Sequence, residues 1–303
     1  MIITDITGIG DPQIILYHEK YYCYATDPDD LFGGFRVWVS DDLIHWEGPT
    51  VCFHAIESWG CKKFWAPEVI YHNGQFVMHY TAFSRELQSL RVGVAVSDSP
   101  TGPFTDVWGH PMFDFGYAAI DASVLVTKHG NYLYYSRDCC ENIIDGVKTS
   151  QIYCVEIDDT LTKVIGEPHL MISPTYEWEK KSLLIPNYST HLWNEGPCVI
   201  PYGDRYIMNF SANCYATNDY AICMAISDSP MGPWYKPDNN PVLSCRSDLF
   251  GSGHNAFFTA KDGRLMTAFH IQTNPQKPSG NRRTCIGEVS FEEKDGVITQ
   301  TIF

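Results

Sequence analysis

The sequence predicts an all-β fold, a five-bladed β-propeller in one domain spanning residues 1–303. Three observations predict it. A hairpin pattern recurs five times; a second strand–turn element recurs offset from it; and together the copies run from Asp11 to Val289. Self-similarity at such a period, with about four strands per unit, is the mark of a propeller. Roughly 60 residues per unit exceeds the ~40–50 of WD40 or kelch blades, so these are long blades.

Taken in order, the first hairpin is Asp11–Thr26, DPQIILYHEKYYCYAT. The second starts at Glu68 and turns at Asn73-Gly74, and the third starts at Asp121 and turns at Gly130. The fourth starts at Glu195 and turns at Gly203-Asp204, and the fifth starts at His254 and turns at Asp262-Gly263. Two runs of aromatic and branched residues around a Gly-containing polar turn read as a hairpin. The offset element begins at Arg36, Arg91 and Ala221, each a strand followed by a turn and Gly-Pro, with weaker versions at Gln151 and Cys285. One ionisable residue precedes each hairpin (Asp11, Glu68, Asp121, Glu195, His254), and the five read as equivalent positions.

Composition narrows the function. A hydrophobic share of 44% with 14% aromatic residues suits a large core and a sugar-stacking surface. No stretch is long and apolar enough to span a membrane. A net charge of −15 without a basic run excludes nucleic acid as the expected partner and disfavours polyuronates, while leaving neutral sugars open. The 11 cysteines, odd in number and mostly at strand positions, match no zinc spacing. The N-terminus lacks a basic region and an apolar core. These features predict a reduced, cytoplasmic protein, unless an export signal has been removed.

In a propeller the innermost strand of every blade starts at one mouth of the central channel. Residues preceding those strands therefore converge on one pocket. Four carboxylates facing one cavity repel one another, which raises some of their pKa values, and separated pKa values are what acid–base chemistry uses. Each has a plainer reading: a turn at Asp11-Pro12, a loop cap at Glu68, a backbone tie at Asp121, a solvated turn at Glu195, a core histidine at His254. Recurrence at one place in the repeat favours the shared site.

The order Gly10-Asp11-Pro12, Trp65-Ala66-Pro67-Glu68, Ile120-Asp121-Ala122-Ser123, Asn194-Glu195-Gly196-Pro197 and Gly251-Ser252-Gly253-His254-Asn255 resembles glycoside hydrolase family 43. That resemblance implies a propeller that hydrolyses arabinose- or xylose-containing glycans, or for a minority galactans, with inversion. It implies Asp11 as general base, Glu195 as general acid, Asp121 as the residue that tunes and orients the acid, and Glu68 in a supporting place. It further implies that His254 holds a calcium ion, a sodium ion or a water network on the propeller axis. No cofactor is expected for the chemistry itself.

Inversion needs a carboxylate that activates water and a carboxylic acid that protonates the leaving oxygen, about 6.5–9.5 Å apart. Asp121 is expected to raise the pKa of Glu195 by like-charge repulsion, and Asp11 to stay ionised in a water-accessible setting. Trp65, Trp193, Phe115 and Tyr117 precede the blade entries and are expected to stack on the sugar, with Arg282 reaching a hydroxyl. The segment from Met171 to Thr190 is expected to wall the pocket, favouring attack on chain ends of an oligosaccharide. An endo-arabinanase, a galactan-directed enzyme and a non-catalytic glycan-binding propeller are the alternatives. An invertase-type propeller fits less well, because the sequence has no Arg-Asp-Pro triplet.

Overall fold

Alternating apolar residues in the five hairpins, broken by Gly, Asn and Asp at the turns, fold into five antiparallel sheets in the computed structural model, which describes residues 1–26, 33–246 and 248–303. The first sheet runs Gly10–Tyr17, Lys20–Thr26, Gly34–Ser40 and Glu47–His54. The second runs Gly60–His72, Gln75–Ser84, Ser89–Ser97 and Thr105–Asp106. The third runs Ala119–Thr127, Gly130–Arg137, Gln151–Ile157 and His169–Ile172. The fourth runs Asn194–Tyr202, Arg205–Ala212 and Ala221–Ser227, bridged on its outer edge by Tyr235 and Leu243.

The fifth sheet closes the ring. Gly253–Thr259, Leu265–Gln272 and Arg282–Lys294 are joined on the outside by Ile2–Thr7 from the start of the chain. Each inner strand touches the next, and the inner strand of the first sheet touches that of the fifth, so the sheets are blades of a closed five-bladed propeller. The core is accordingly not a single central mass but slabs between blade faces. Tyr24, Phe35, Phe53, Phe64, Phe76, Tyr80 and Phe104 fill the slab between blades one and two. Cutting one of those rings back to Ala costs about 3–5 kcal/mol.

Each inner strand carries a bulge at its start. The ladder slips between Gly10 and Gln13, Trp65 and Glu68, Ile120 and Ser123, Glu195 and Cys198, and Gly253 and Ala256. The bulged residue is left-handed in every blade: Asp11 at φ 54°, Ala66 at 44°, Asp121 at 57°, Gly196 at 57° and His254 at 48°. For the four that are not glycine this costs of order 1–3 kcal/mol each. Five hydrogen bonds hold the strain in place. The N–H of each bulged residue reaches a side chain within the last four residues of the second strand of the preceding blade: Asp11 to His270 (3.2 Å), Ala66 to Thr26 (2.8 Å), Asp121 to Thr81 (3.0 Å), Gly196 to Ser136 (3.2 Å) and His254 to Ser211 (2.7 Å).

That register corrects the sequence reading. Asp11, Asp121 and His254 are equivalent, but their counterparts are Ala66 and Gly196, not Glu68 and Glu195. Glu68 lies two residues further into its strand, level with Gln13 and Ser123, and Glu195 lies one residue earlier, level with Trp65 and Ile120. In a strand one step reverses the side chain's face, so the two glutamates do different things.

Candidate active site

The bulges arrange side chains in tiers at the mouth of the channel. The residues just before them are Gly10, Trp65, Ile120, Glu195 and Gly253. Trp65, Ile120 and Glu195 line a cavity of about 850 Å³, within the usual range for a ligand pocket. The two glycines let other residues in. A Cβ on Gly10 would lie 1.9 Å from Cζ of Arg282, and one on Gly253 would lie 2.1 Å from Cδ1 of Tyr220. Both Arg282 and Tyr220 occupy those gaps and line the cavity with Asp11, Asp121, Trp193 and His254.

Asp11 sits among donors. Arg282 Nη1 is 2.7 Å from Oδ1, Thr26 donates its hydroxyl to Oδ2 at 2.5 Å, and His254 Nδ1 is 3.3 Å from Oδ1. Burial pushes the Asp11 carboxyl up, but Arg282, His254 and His270 outweigh it and hold the group well below the usual carboxylate range. The Arg282 guanidinium and the neighbouring imidazoles, rather than access to water, keep it ionised, in contrast to the expectation. His270 is fully buried, and burial together with Arg282 lowers it to about 3, so it is neutral and its Nδ1 accepts the Asp11 N–H.

Glu195 has the opposite surroundings. It is 7% exposed, and burial raises its pKa well above the ordinary value, with Asp121 as the next cause. Asp138 and Asp11 raise it further, while a 2.8 Å hydrogen bond from Tyr220 to Oε1 opposes the shift. Asp121 is raised to about 6, chiefly by burial; its Oδ2 accepts the Gly196 N–H at 3.2 Å and the Ser136 hydroxyl at 3.3 Å. It is thus tied to the peptide that follows Glu195.

The structure brings Asp11, Asp121, Glu195, Trp65, Trp193, Arg282 and His254 into one cavity. It does not bring Glu68, Phe115 or Tyr117 there. Glu68 faces a small axial cavity beneath, with Gln13 and Asn255, and burial raises it to about 7. Phe115 and Tyr117 pack in the slab between blades two and three, where Tyr117 bonds the Tyr135 hydroxyl at 2.7 Å. Both pack against the blade face, not at the mouth. The 171–190 segment, expected as a wall, contributes no residue to the cavity either.

Among the cavity residues that escaped the sequence reading are Tyr220, Tyr215 and Asp138. All lie near the ends of second or third strands, with no repeat signal of their own. Tyr215 carries the Arg282 guanidinium over its ring at 5.0 Å. Asp138 accepts the Cys140 N–H at 2.9 Å through Oδ1.

Calcium takes six to eight oxygens. The axial cavity holds about 10 Å³, the space of one water. Among the described residues no three His, Cys, Asp or Glu side chains gather to hold a metal, and His254 turns its Nδ1 to Asp11. The space beside His254 accommodates one water, and its Nδ1 is already engaged by Asp11. Among the described residues no helix is long and apolar enough to cross a membrane.

A family model described as Glycosyl hydrolases family 43 matches residues 7–298. The chain is 24% identical to a β-D-galactofuranosidase (xynD) of Aspergillus niger, over 97% of the chain and 82% of that protein. It is 25% identical to an extracellular exo-alpha-(1->5)-L-arabinofuranosidase of Streptomyces avermitilis, over 92% of the chain but 59% of that protein. It spans only about half to two thirds of the length of several such relatives, three of which are named extracellular. Among solved structures it superposes on a thermostable family-43 glycoside hydrolase with TM-score 0.90 at 40% identity, covering 98% of this chain and 94% of the other. An endo-1,4-beta-xylanase of Bacteroides thetaiotaomicron superposes with TM-score 0.82 at 30% identity, covering 97% and 94%.

Proposed function

The chain belongs to family 43 of the glycosyl hydrolases, and from that premise we propose an inverting enzyme that releases α-L-arabinofuranose or β-D-xylose from the ends of oligosaccharides. Asp11 deprotonates the attacking water, and Glu195 protonates the leaving oxygen. Asp121 holds the acid protonated and its strand start in place. One observation carries the assignment: the two carboxyls share a cavity, yet one is pushed down by Arg282 and His254 and the other up by burial and Asp121. Such a divergence assigns base and acid.

The cavity gathers residues from around the whole ring. All five blades contribute lining residues, from Thr26 and Trp65 through Asp138 and Trp193 to Arg282. Trp65 and Trp193 offer faces for stacking, and Arg282, already bonded to Asp11, has remaining N–H groups for a sugar hydroxyl. An axial water beside His254, rather than calcium, completes the floor. The relatives named extracellular support export over the cytoplasmic setting that the cysteines suggest; fractionating cells that express the full gene product decides it.

The Aspergillus relative supports a second sugar, β-D-galactofuranose. A panel of 4-nitrophenyl α-L-arabinofuranoside, β-D-xyloside and β-D-galactofuranoside separates the three, with NMR of the first-formed anomer reporting inversion. Retention of configuration, or release of long fragments from linear arabinan or xylan, would sink the proposal.

A further inference from the structure

The 171–190 segment does not wall the cavity, but it reaches the site from behind. Its Glu179 is fully buried, and its partner is Lys236, 6% exposed, from the outer edge of blade four. Lys236 Nζ donates to Glu179 Oε1 at 2.5 Å, to the Ser173 carbonyl at 2.7 Å and to Asn194 Oδ1 at 2.8 Å. Glu179 Oε2 accepts the N–H groups of Thr175 and Tyr176 at 2.7 and 2.8 Å. Asn194, itself fully buried, returns its amide to Glu179 Oε1 at 2.9 Å and to the Trp193 carbonyl at 2.9 Å. Every ammonium proton and both carboxylate oxygens are used.

An ion pair this deep is expensive. Each ion is costly to desolvate, and apolar replacements of similar volume are often as stable. Its place in the chain suggests what it does. Asn194 stands between Trp193 and Glu195, both of which line the cavity. Along a strand, neighbours point to opposite faces, so the residue gripped from behind sets the depth of the two that face the substrate. The Asn194 N–H is further fixed to the Ser150 carbonyl at 3.2 Å.

We propose that the Lys236–Glu179 pair is a positioning device for the acid: by clamping Asn194 it sets where Glu195 and Trp193 stand against the leaving sugar. This rests on Glu195 being the acid. A misplaced acid harms a substrate in proportion to how much its leaving group needs a proton. A sugar alkoxide needs one; 4-nitrophenolate hardly does.

The test is the double variant Glu179→Leu/Lys236→Met, which removes both charges together, assayed on a disaccharide and on the 4-nitrophenyl glycoside of the same sugar. The expected result is a kcat on the disaccharide 10- to 100-fold lower, a loss below threefold on the aryl glycoside and a KM within about threefold, because position matters more than binding. Equal losses on both substrates, or a disaccharide kcat within twofold of wild type, overturn the proposal. Should the double variant fail to fold, Asn194→Ser leaves the ion pair in place and is read by the same ratio. The premise fails separately: if Glu195→Gln itself loses equally on both leaving groups, Glu195 is not the acid, whatever the double variant does.

Discussion

Asp11 and Glu195 are both carboxyls within one cavity, and their neighbourhoods differ in sign. Around Asp11 stand a guanidinium, two imidazoles and a hydroxyl; around Glu195 stand two further carboxyls, Asp121 and Asp138, and a single phenol. Exposure does not separate them, because both are largely shut off from water. The difference teaches that neighbours, more than solvent, separate a carboxyl held ionised from one that favours its proton. Burial amplifies whichever charge the neighbours hold, because it lowers the local dielectric.

Deleting either member should break the comparison outright. Asp11→Asn is expected to lower kcat/KM at least 10³-fold on every substrate, since the water loses its base. Glu195→Gln is expected to cost 10²–10⁴-fold on oligosaccharides and far less on aryl glycosides. Initial rates on a matched pair of substrates check both. A uniform loss for Glu195→Gln would reverse the assignment.

Removing the cation beside Asp11 is the next largest effect. With Arg282→Gln, burial acts on Asp11 with less opposition, so its pKa rises. The wild-type pH profile should be a bell: activity falls at low pH as Asp11 protonates and at high pH as Glu195 ionises. In the variant the acidic limb should move toward neutral while the alkaline limb stays, with a 10- to 100-fold loss of kcat/KM at neutral pH from the sugar contact as well. An unmoved acidic limb would show that the remaining neighbours, His254 and Thr26 among them, hold Asp11 ionised without Arg282.

How far the sequence carried this picture depends on the residue. Five hairpins, the closed ring and the sets of carboxyls were legible, because hairpin turns and strand periodicity are local. The phase was not. Ionisable residues suggested a repeat starting at Glu68 and Glu195, whereas the bulges put Ala66-Pro67 and Gly196-Pro197 level with Asp11-Pro12. A bulge is a matter of pairing between strands, yet a trace was present: the hairpins carry Thr26, Thr81, Ser136, Ser211 and His270 within the last four residues of their second strands, and these five hold the bulged N–H groups. Tyr220 and Asp138 had no such trace. They reach the cavity because Gly253 makes room for one and because the second strand of blade three ends beside the other.

Glu68 sharpens the comparison as a carboxyl that burial raises and no cation opposes. Its pKa of about 7, against an ordinary 4.5, means that the folded protein binds its proton more tightly than the unfolded chain. The sign follows: stability is lost as pH rises from about 4.5 toward 7 and stays lower above that. Glu68→Gln keeps an acceptor for the Val124 N–H and removes the ionisation. The variant should gain of order 2–3 kcal/mol relative to wild type at pH 8 compared with pH 4.5, less whatever water in the axial cavity screens. Urea midpoints at the two pH values measure it, and equal differences would mean that Glu68 titrates normally.

The smallest effect is the most discriminating, because two substitutions on the same acid should move it in opposite directions. Asp138 raises the Glu195 pKa by repulsion, and the Tyr220 hydroxyl lowers it by bonding the charged form. Asp138→Asn should therefore bring the alkaline limb of the pH profile down, and Tyr220→Phe should take it up, each by a few tenths to about one unit. Tyr220→Phe should cost kcat about threefold to tenfold besides, since a hydrogen bond to a charged group contributes about 1.5–3 kcal/mol and part of that holds the acid in line. Movement of both limbs in one direction would mean that the two substitutions act through packing. Opposed movement would tie the alkaline limb to Glu195 without touching the acid itself.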